Sequence, residues 1–229
     1  MPTSVTHRSL DGRRFTLGGP LDLAAPVTSV VGVTVRGRLH ELTAGPAALG
    51  AEVAGALGVG RFAEELGHQD GTLLVGRARP YDRRIRLVED LVVAVWRGRR
   101  HSLVSSFHRV TTAQVLGVLR ALRITEHADG IAVRPGRDAG FATPATLVKQ
   151  VPGLGLLEVS PRTDRHSLPA WAGLGAAGGA EVFRDRLPDG RPYFVLAGAA
   201  TWTTALPLAD CVPAKVPSLL SGLSVRAAG

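Results

Sequence analysis

The sequence is poor in cysteine, in lysine and in aromatic residues. Cys211 is the single cysteine among 229 residues, which excludes an intramolecular disulfide and a cage of several thiolates around zinc. Such a composition is typical of an intracellular protein, and we expect a cytoplasmic location. Lys149 and Lys215 are the lysines among 27 basic residues, an excess of arginine that a GC-rich genome produces without any selection for binding.

Long apolar runs are also missing. The longest, such as Leu91 to Trp96, is far shorter than the roughly 20 residues that span a bilayer, and the N-terminus has no charged stretch leading into an apolar one. The sequence therefore predicts no membrane span. Apolar residues make up 45% of the chain, which is enough for a core, and the composition is not that of a disordered protein.

The positive charge is concentrated in one segment. Residues 77–123 hold eleven arginines and three acidic residues, which accounts for the whole net charge of +8. In this segment alternation places Arg84 and Arg86 on one face of a strand and Ile85 and Leu87 on the other. Several guanidinium groups can then share one surface and focus a positive field. A solvated basic face with no binding role is the alternative.

The first half of the chain shows alternating patterns between helical ones. Asp11-Gly12 predicts a hairpin, and Gly45-Pro46 introduces a helix over "AALGAEVAGALG". "RFAEEL" is interpreted as a shorter helix. "GTLLVGRAR", "RRIRLV", "DLVVAVW" and "HSLVSSF" predict an antiparallel meander of four strands. Thr111 and Gln114 form a capping box that begins a second helix, which closes the meander.

The second half repeats this order. "PATLVKQV" from Pro144 parallels "PAALGAEV" from Pro46 and predicts a helix capped by Thr143. A hairpin through "LPDG" and a strand "TWTTALP" follow, and the apolar spacing of "VPAKVPSLLSGL" predicts a final helix. We therefore predict an α+β fold of antiparallel sheets with a few packed helices. Its two pseudo-symmetric halves are residues 1–135 and 136–229, within two domains or one.

Four stretches resemble the EspG family, the cytosolic chaperones of actinobacterial type VII secretion systems. They are "DLVVAVWRGRRHSLVSSFHR" with "TTAQVLGVLRAL", and "PYFVLAGAATWTTALP" with "KVPSLLSGL". The resemblance implies a pseudo-twofold α+β fold with a central antiparallel sheet. It also implies a partner, because members of this family bind the helical tip of PPE-type substrates and keep them soluble until export. The chain departs from the family pattern at Asp11-Gly12, where a helix is expected.

No residue pattern indicates catalysis. Ser106 and His108 would share a face of a strand, as a nucleophile and its base do, but no G-x-S-x-G turn surrounds any serine. "GVGRFA" from Gly58 has the glycine spacing of a dinucleotide-binding turn, but it follows a helical pattern instead of a strand. The seven histidines lack the i, i+2 and i, i+4 spacings of metal ligands. We predict no enzyme activity, no organic cofactor and no metal.

The basic turn, Arg97 to Arg100, is the predicted partner surface, because long basic side chains on a tight turn contribute little to the fold. We expect Arg97, Arg99 and Arg100 to contact a partner, with Trp96 at the base of the turn and Arg84 and Arg86 nearby. The expected function is a protein-binding chaperone or adaptor for a helical secreted-type protein. The alternative is a nucleic-acid- or polyanion-binding protein that uses residues 77–123, with Trp96 and Phe107 stacking on bases.

Overall fold

The computed structural model describes residues 3–82, 87–164, 166–169, 173–209 and 211–228, and the chain divides into two units. Unit 1 consists of Met1–Ser9, Arg13–Thr28 and Ala145–Gly229, and unit 2 of Leu10–Gly12 and Ser29–Pro144. The N-terminal hairpin therefore belongs to the same unit as the C-terminal segment, because its second strand pairs with the last strand of the chain.

The strands and helices follow one another in chain order. The strands are β1 Thr3–Arg8, β2 Arg14–Gly19, β3 Val27–Val35, β4 Arg38–Pro46, β5 Phe62–His68, β6 Gly71–Ala78, β7 Tyr81–Asp82, β8 Leu87–Val88, β9 Leu91–Arg97, β10 His101–His108, β11 Leu122–His127, β12 Gly130–Pro135, β13 Ala139–Phe141, β14 Thr146–Val151, β15 Gly155–Pro161, β16 Leu174–Gly175, β17 Glu181–Arg186, β18 Pro192–Ala197, β19 Thr201–Leu206 and β20 Ser224–Ala228. The helices are α1 Leu49–Ala56, α2 Thr112–Arg120 and α3 Val216–Ser221, with 3-10 turns at Ala177–Gly179 and Pro213–Lys215.

The main sheets of the two units have the same strand order. In unit 2 the order is β3-β4-β10-β9-β6-β5, and in unit 1 it is β14-β15-β19-β18-β17-β16. Numbered along the chain within each unit, both are 1-2-6-5-4-3. In each unit a helix follows the sixth strand, α2 after β10 and α3 after β19, and the next strand joins a smaller sheet. This repeated order is what an internal duplication predicts.

In unit 2 the strand β9 is buried on both faces. Leu91, Val93 and Val95 join an apolar cluster with residues of α1, while Val92 and Ala94 join a second cluster with residues of α2. A strand covered on both sides explains why "LVVAVW" is continuously apolar instead of alternating. Unit 2 is therefore a sheet between two helices.

In unit 1 the main apolar cluster joins the main sheet to α3 and to the small sheet β1-β2-β20. Val216, Leu220 and Leu223, which the sequence placed on one helical face, all have 0% exposure in this cluster. The other face carries a smaller cluster around Trp202, whose ring stacks on His166 with centroids 4.6 Å apart. Both faces of this sheet are therefore also covered.

The predicted α+β class is wrong, because the fold is mostly β. Among the described residues strands account for 53% and helices for 14%, and the helices are short. Two segments predicted as helices are strands, namely "RFAEEL", which lies in β5, and "PATLVKQV", which contains β14. Pairing partners supplied by distant parts of the chain override the weak helical preference of these segments.

The buried Lys149 explains why the strand pattern of β14 was not recognised in the sequence. Leu147, Lys149 and Val151 alternate as buried residues, and only Lys149 breaks the apolar period of two. Its ammonium group donates a hydrogen bond to the carbonyl of Ala25. Burial lowers the pKa of Lys149, and the charge of Asp22 partly offsets this. A paired and desolvated amine can thus occupy a core position that sequence patterns assign to solvent.

The predicted four-strand meander also differs. Strand β6 pairs directly with β9, and β7 with β8 forms a separate two-stranded pair between them along the chain. Of "RRIRLV", Leu87 and Val88 form β8, and the first four residues lie outside the described ranges. By contrast, the capping box of Thr111 and Gln114 is confirmed at the start of α2, as is the hairpin around Asp11-Gly12. No helix in the described ranges is long and apolar enough to cross a bilayer.

Candidate functional site

The basic turn joins β9 to β10 and exposes its arginine side chains. The Arg97 guanidinium lies 3.3 Å from a carboxylate oxygen of Glu65 on β5, and both side chains are at least half exposed. In the described part of the chain, the guanidinium groups of Arg99 and Arg100 have no hydrogen-bond or ion-pair partner. Surface ion pairs stabilise a fold by less than about 1 kcal/mol, so these side chains contribute little to stability.

The backbone of the turn is held by one carboxylate. Glu126, at the end of β11, accepts hydrogen bonds from the backbone N–H groups of Arg99, Arg100 and His101 at 2.7–2.8 Å, and the His101 ring lies 3.2 Å away. Burial by itself raises the pKa of Glu126, but these hydrogen bonds outweigh it and lower the pKa below its ordinary value. The Glu126 carboxylate thus fixes the backbone of the turn, while the arginine side chains are exposed to solvent.

We expect Glu126→Gln to destabilise the protein by about 2 kcal/mol at neutral pH, because the charge is lost and an NH2 donor replaces one of the two oxygens that accept from the backbone. The pKa of Glu126 is lower in the folded protein than in the unfolded chain. Its carboxylate therefore stabilises the fold fully when the pH is above the ordinary glutamate pKa, and this stabilisation disappears as the pH falls through the folded-state pKa. Urea denaturation of both proteins between about pH 3 and pH 7 should show the difference shrinking in acid.

Glu65→Gln is the matched control for this measurement, because its carboxylate is 64% exposed and pairs only with the Arg97 side chain in the described residues. It should change the free energy of unfolding by less than about 0.5 kcal/mol. If Glu126→Gln lowers the free energy of unfolding as little as Glu65→Gln does, or by an amount that does not depend on pH, the Glu126 carboxylate does not hold the turn.

Trp96 cannot form part of the partner surface that the sequence suggested. Its side chain is 2% exposed, and its ring N–H donates to the carbonyl of His68 at 2.9 Å. Phe107, the other expected stacking residue, is 4% exposed. Alternation in this hairpin does not separate core from surface, because both faces are covered. Among the described residues that the sequence analysis assigned to the partner surface, the arginines of the basic turn are the exposed ones.

The basic segment does not form one surface. Arg84 and Arg86 lie outside the described residues. Arg77 lies opposite Val92 near one end of β9, whereas Arg97 lies at its other end, so the two are separated by about 17 Å along the sheet. Arg77 pairs with Asp90 at 3.7 Å. Two arginines of the same basic segment therefore lie near opposite ends of β9.

Large exposed apolar side chains lie at the end away from the basic turn. Leu39 is 67% exposed, Tyr81 57% and Val88 53%, and Tyr81 faces Val88 across the β7-β8 pair. We call this region the apolar-basic end, because exposed arginines lie in the same segments of the chain. They are Arg36, Arg38, Arg77, Arg79 and Arg109.

The sheet register places these side chains together. Ala78 pairs with Leu91 and Leu91 with His108, so β7 and β8 emerge at that end of the sheet. Extending the pairing of β10 with β4 places Leu39 beside His108. Leu39 is then about three strand spacings, or 14 Å, from Ala78 across the sheet, and Tyr81 and Val88 belong to the β7-β8 pair that continues from this end.

Leu39 was missed because the hairpin in which it lies was not predicted from the sequence. Arg36 and Gly37 have φ values of 48° and 76°, which makes "VRGRL" the turn between β3 and β4. Two positive φ values are the mark of a tight hairpin turn, but arginine is rarely found at the first position. The glycine between two alternating runs is the signal that could have revealed it.

The candidate catalytic pair also has a defined place. Ser106 and His108 lie on the same face of β10, and both are exposed, with Phe107 buried between them. "GVGRFA" connects α1 to β5, so it follows a helix, as its sequence context indicated, and Gly58 has a φ of 85° where the helix ends. Neither segment lines the cavity of unit 1 that is formed by residues 177–227.

Comparison with known proteins gives no relative whose surfaces can be compared with these. No protein-family model, curated protein or solved structure was found to match the chain.

Proposed function

We propose that this protein is a non-enzymatic adaptor or chaperone that binds another protein through the apolar-basic end of unit 2. The observation that carries the proposal is the exposure of Leu39, Tyr81 and Val88 within a group of arginines. Large apolar side chains grouped at the surface mark interaction sites. Tyrosine and arginine are also the residue types that dominate the binding energy of protein interfaces.

The proposed partner is an acidic, helical protein. Five arginines around the apolar side chains favour a negatively charged surface, and helical partners place apolar side chains on one face. Within the EspG resemblance, this partner is a substrate of a type VII secretion system, kept soluble in the cytoplasm until export. The strand order shared by the two units is what a fold of two related halves requires, whereas the mostly β content departs from the α+β fold that the resemblance implies.

The nucleic-acid alternative has less support. Non-specific single-strand binding combines clustered basic residues with exposed aromatic rings that stack on bases. Trp96 and Phe107 are buried, and the arginines are divided between two ends of unit 2. Binding to a polyanion is nevertheless a measurable outcome and is part of the test.

The test is affinity capture from the native host at low and at moderate salt, followed by titration of the purified captured protein. The proposal expects an acidic helical protein that binds one-to-one and remains bound at moderate salt. Recovery of nucleic acid, with binding abolished by nuclease treatment, contradicts it. So does a captured protein that binds equally well after the apolar-basic end has been changed.

The arginines of the basic turn are expected to accelerate encounter with such a partner. Changing Arg97, Arg99 and Arg100 together to Ser should lower the association rate severalfold and flatten its dependence on salt, with a smaller change in the dissociation rate. Stability should change by less than about 0.5 kcal/mol for each exposed substitution. Stopped-flow association at several salt concentrations measures this effect.

A control with the same loss of charge uses unit 1. Arg184, Arg186 and Arg191 are exposed on the β17-β18 hairpin, and changing them to Ser removes three positive charges. If both triple variants slow association equally, only the net charge matters. If neither does, the basic turn is a solvated face.

A further inference from the structure

Unit 1 contains a cavity of about 350 Å³ whose walls are largely backbone. Its lining consists of three chain segments and the side chain of Leu196 beneath them. The segments are Ala177 to Ala180, Gly198 to Thr201, and Ser224 to Ala227 of β20. The side chains are mainly alanine, glycine, serine and threonine, so a ligand can approach the backbone closely. The volume lies within the range of about 300–1,000 Å³ that is typical of ligand sites.

One wall is the open edge of a strand. Strand β20 pairs with β2 on one side, and in the described residues no strand pairs with its other side. The carbonyl of Val225 accepts a hydrogen bond from the Thr201 hydroxyl at 3.5 Å, so the polar backbone groups of Val225 point away from β2. In a strand the backbone N–H and C=O groups of every second residue point to the same side, so the groups of Ala227 also point away from β2. Four consecutive residues of β20 line the cavity, which requires that its edge faces the space.

The charge of the cavity is positive. Arg226 lines it, and Arg162 donates a hydrogen bond to the carbonyl of Gly198 in its wall at 3.0 Å. The cavity lining contains no acidic side chain in the described residues. A carboxylate on the ligand would therefore be attracted to this groove.

We propose that this β20 groove binds an extended acidic peptide segment of another protein, which adds to β20 as a fourth strand of the small sheet. The N–H groups of Val225 and Ala227 and the carbonyl of Ala227 form the backbone hydrogen bonds, together with the Val225 carbonyl, which also accepts the weak hydrogen bond from Thr201. The small walls admit the peptide, and Arg226 holds its carboxylate. This inference concerns unit 1 alone and does not depend on the function proposed for unit 2.

The test begins with a displayed library of random hexapeptides selected on the full chain. The proposal expects enrichment of sequences with Asp or Glu, and the best peptide is then synthesised and titrated by fluorescence anisotropy. Free-acid and amidated forms of this peptide, with its acidic side chains intact or changed to the amides, show whether the carboxylate is terminal or on a side chain. No enrichment above an unrelated bait overturns the proposal.

Ala227→Pro removes one outward-facing N–H group. Proline is tolerated at an edge position whose N–H points away from the sheet, so the melting temperature should be nearly unchanged. The peptide should bind at least about tenfold more weakly, as expected for the loss of a well-formed hydrogen bond in a buried groove. Arg226→Ser should weaken binding of the acidic peptide severalfold and leave its amide analogue unchanged. Equal affinity for Ala227→Pro and the unchanged chain overturns the proposal.

A second probe needs no change to the protein. Two versions of the peptide are N-methylated at alternate residues, so that one lacks the N–H groups facing β20 and the other lacks those facing away. Strand addition requires that only one version loses affinity, by at least tenfold. If both versions bind alike, the peptide is not held as a strand.

Discussion

Gly50→Ala should destabilise the protein by about 3 kcal/mol, although alanine is the better residue in an isolated helix. Gly50 lies in α1, and a Cβ atom built on it would overlap Cγ1 of Val95 on β9. Val95 is 2% exposed and β-branched, so its side chain has little freedom to move. The backbone N–H of Gly50 also donates a hydrogen bond to the Ser102 hydroxyl at 3.0 Å, which fixes the distance between α1 and the sheet.

The same helix supplies the control. A Cβ atom on Gly55 would meet no atom within 4 Å, so Gly55→Ala should stabilise the protein by about 0.5 kcal/mol through helix propensity alone. Urea denaturation of both variants measures the pair. Two changes of the same sign and similar size would show that α1 does not pack as closely on β9 as the structure indicates.

Changing Leu39 and Tyr81 together to Ser should weaken binding of the captured partner by about 100-fold, because a few apolar and aromatic side chains supply most of the energy of an interface. Both residues are more than half exposed, so folding should be nearly unaffected. The loss should appear in the dissociation rate, in contrast to the basic-turn variant, which acts on association. Surface plasmon resonance separates the two rates.

Leu208 and Val212 are suitable control positions. They are exposed apolar residues of unit 1, at 37% and 53%, and changing both to Ser removes a comparable apolar surface. This double variant should bind the partner with unchanged affinity. If it loses as much affinity as the Leu39 and Tyr81 variant, or if the latter binds normally, the apolar-basic end is not the binding surface.

Local patterns in the sequence determined the elements that depend only on neighbouring residues. The capping box of Thr111 and Gln114 requires three-residue spacing alone, and Val216, Leu220 and Leu223 needed only the helical period to identify their buried face. The hairpins around Asp11-Gly12 and "LPDG" follow from glycines with φ of 88° and 84°. These features are settled within one turn of chain, so no distant residue can change them.

Only the tertiary structure decided what depends on pairing between distant strands. It made β14 a strand despite the buried Lys149, covered Trp96, and placed Arg77 and Arg97 at opposite ends of β9. It also left one edge of β20 without a strand partner in the described residues, and exposed Leu39 next to β10. The physical reason is that register and burial arise from contacts between residues far apart in the chain. A shift of one residue exchanges the faces of a strand, and local composition does not encode that choice.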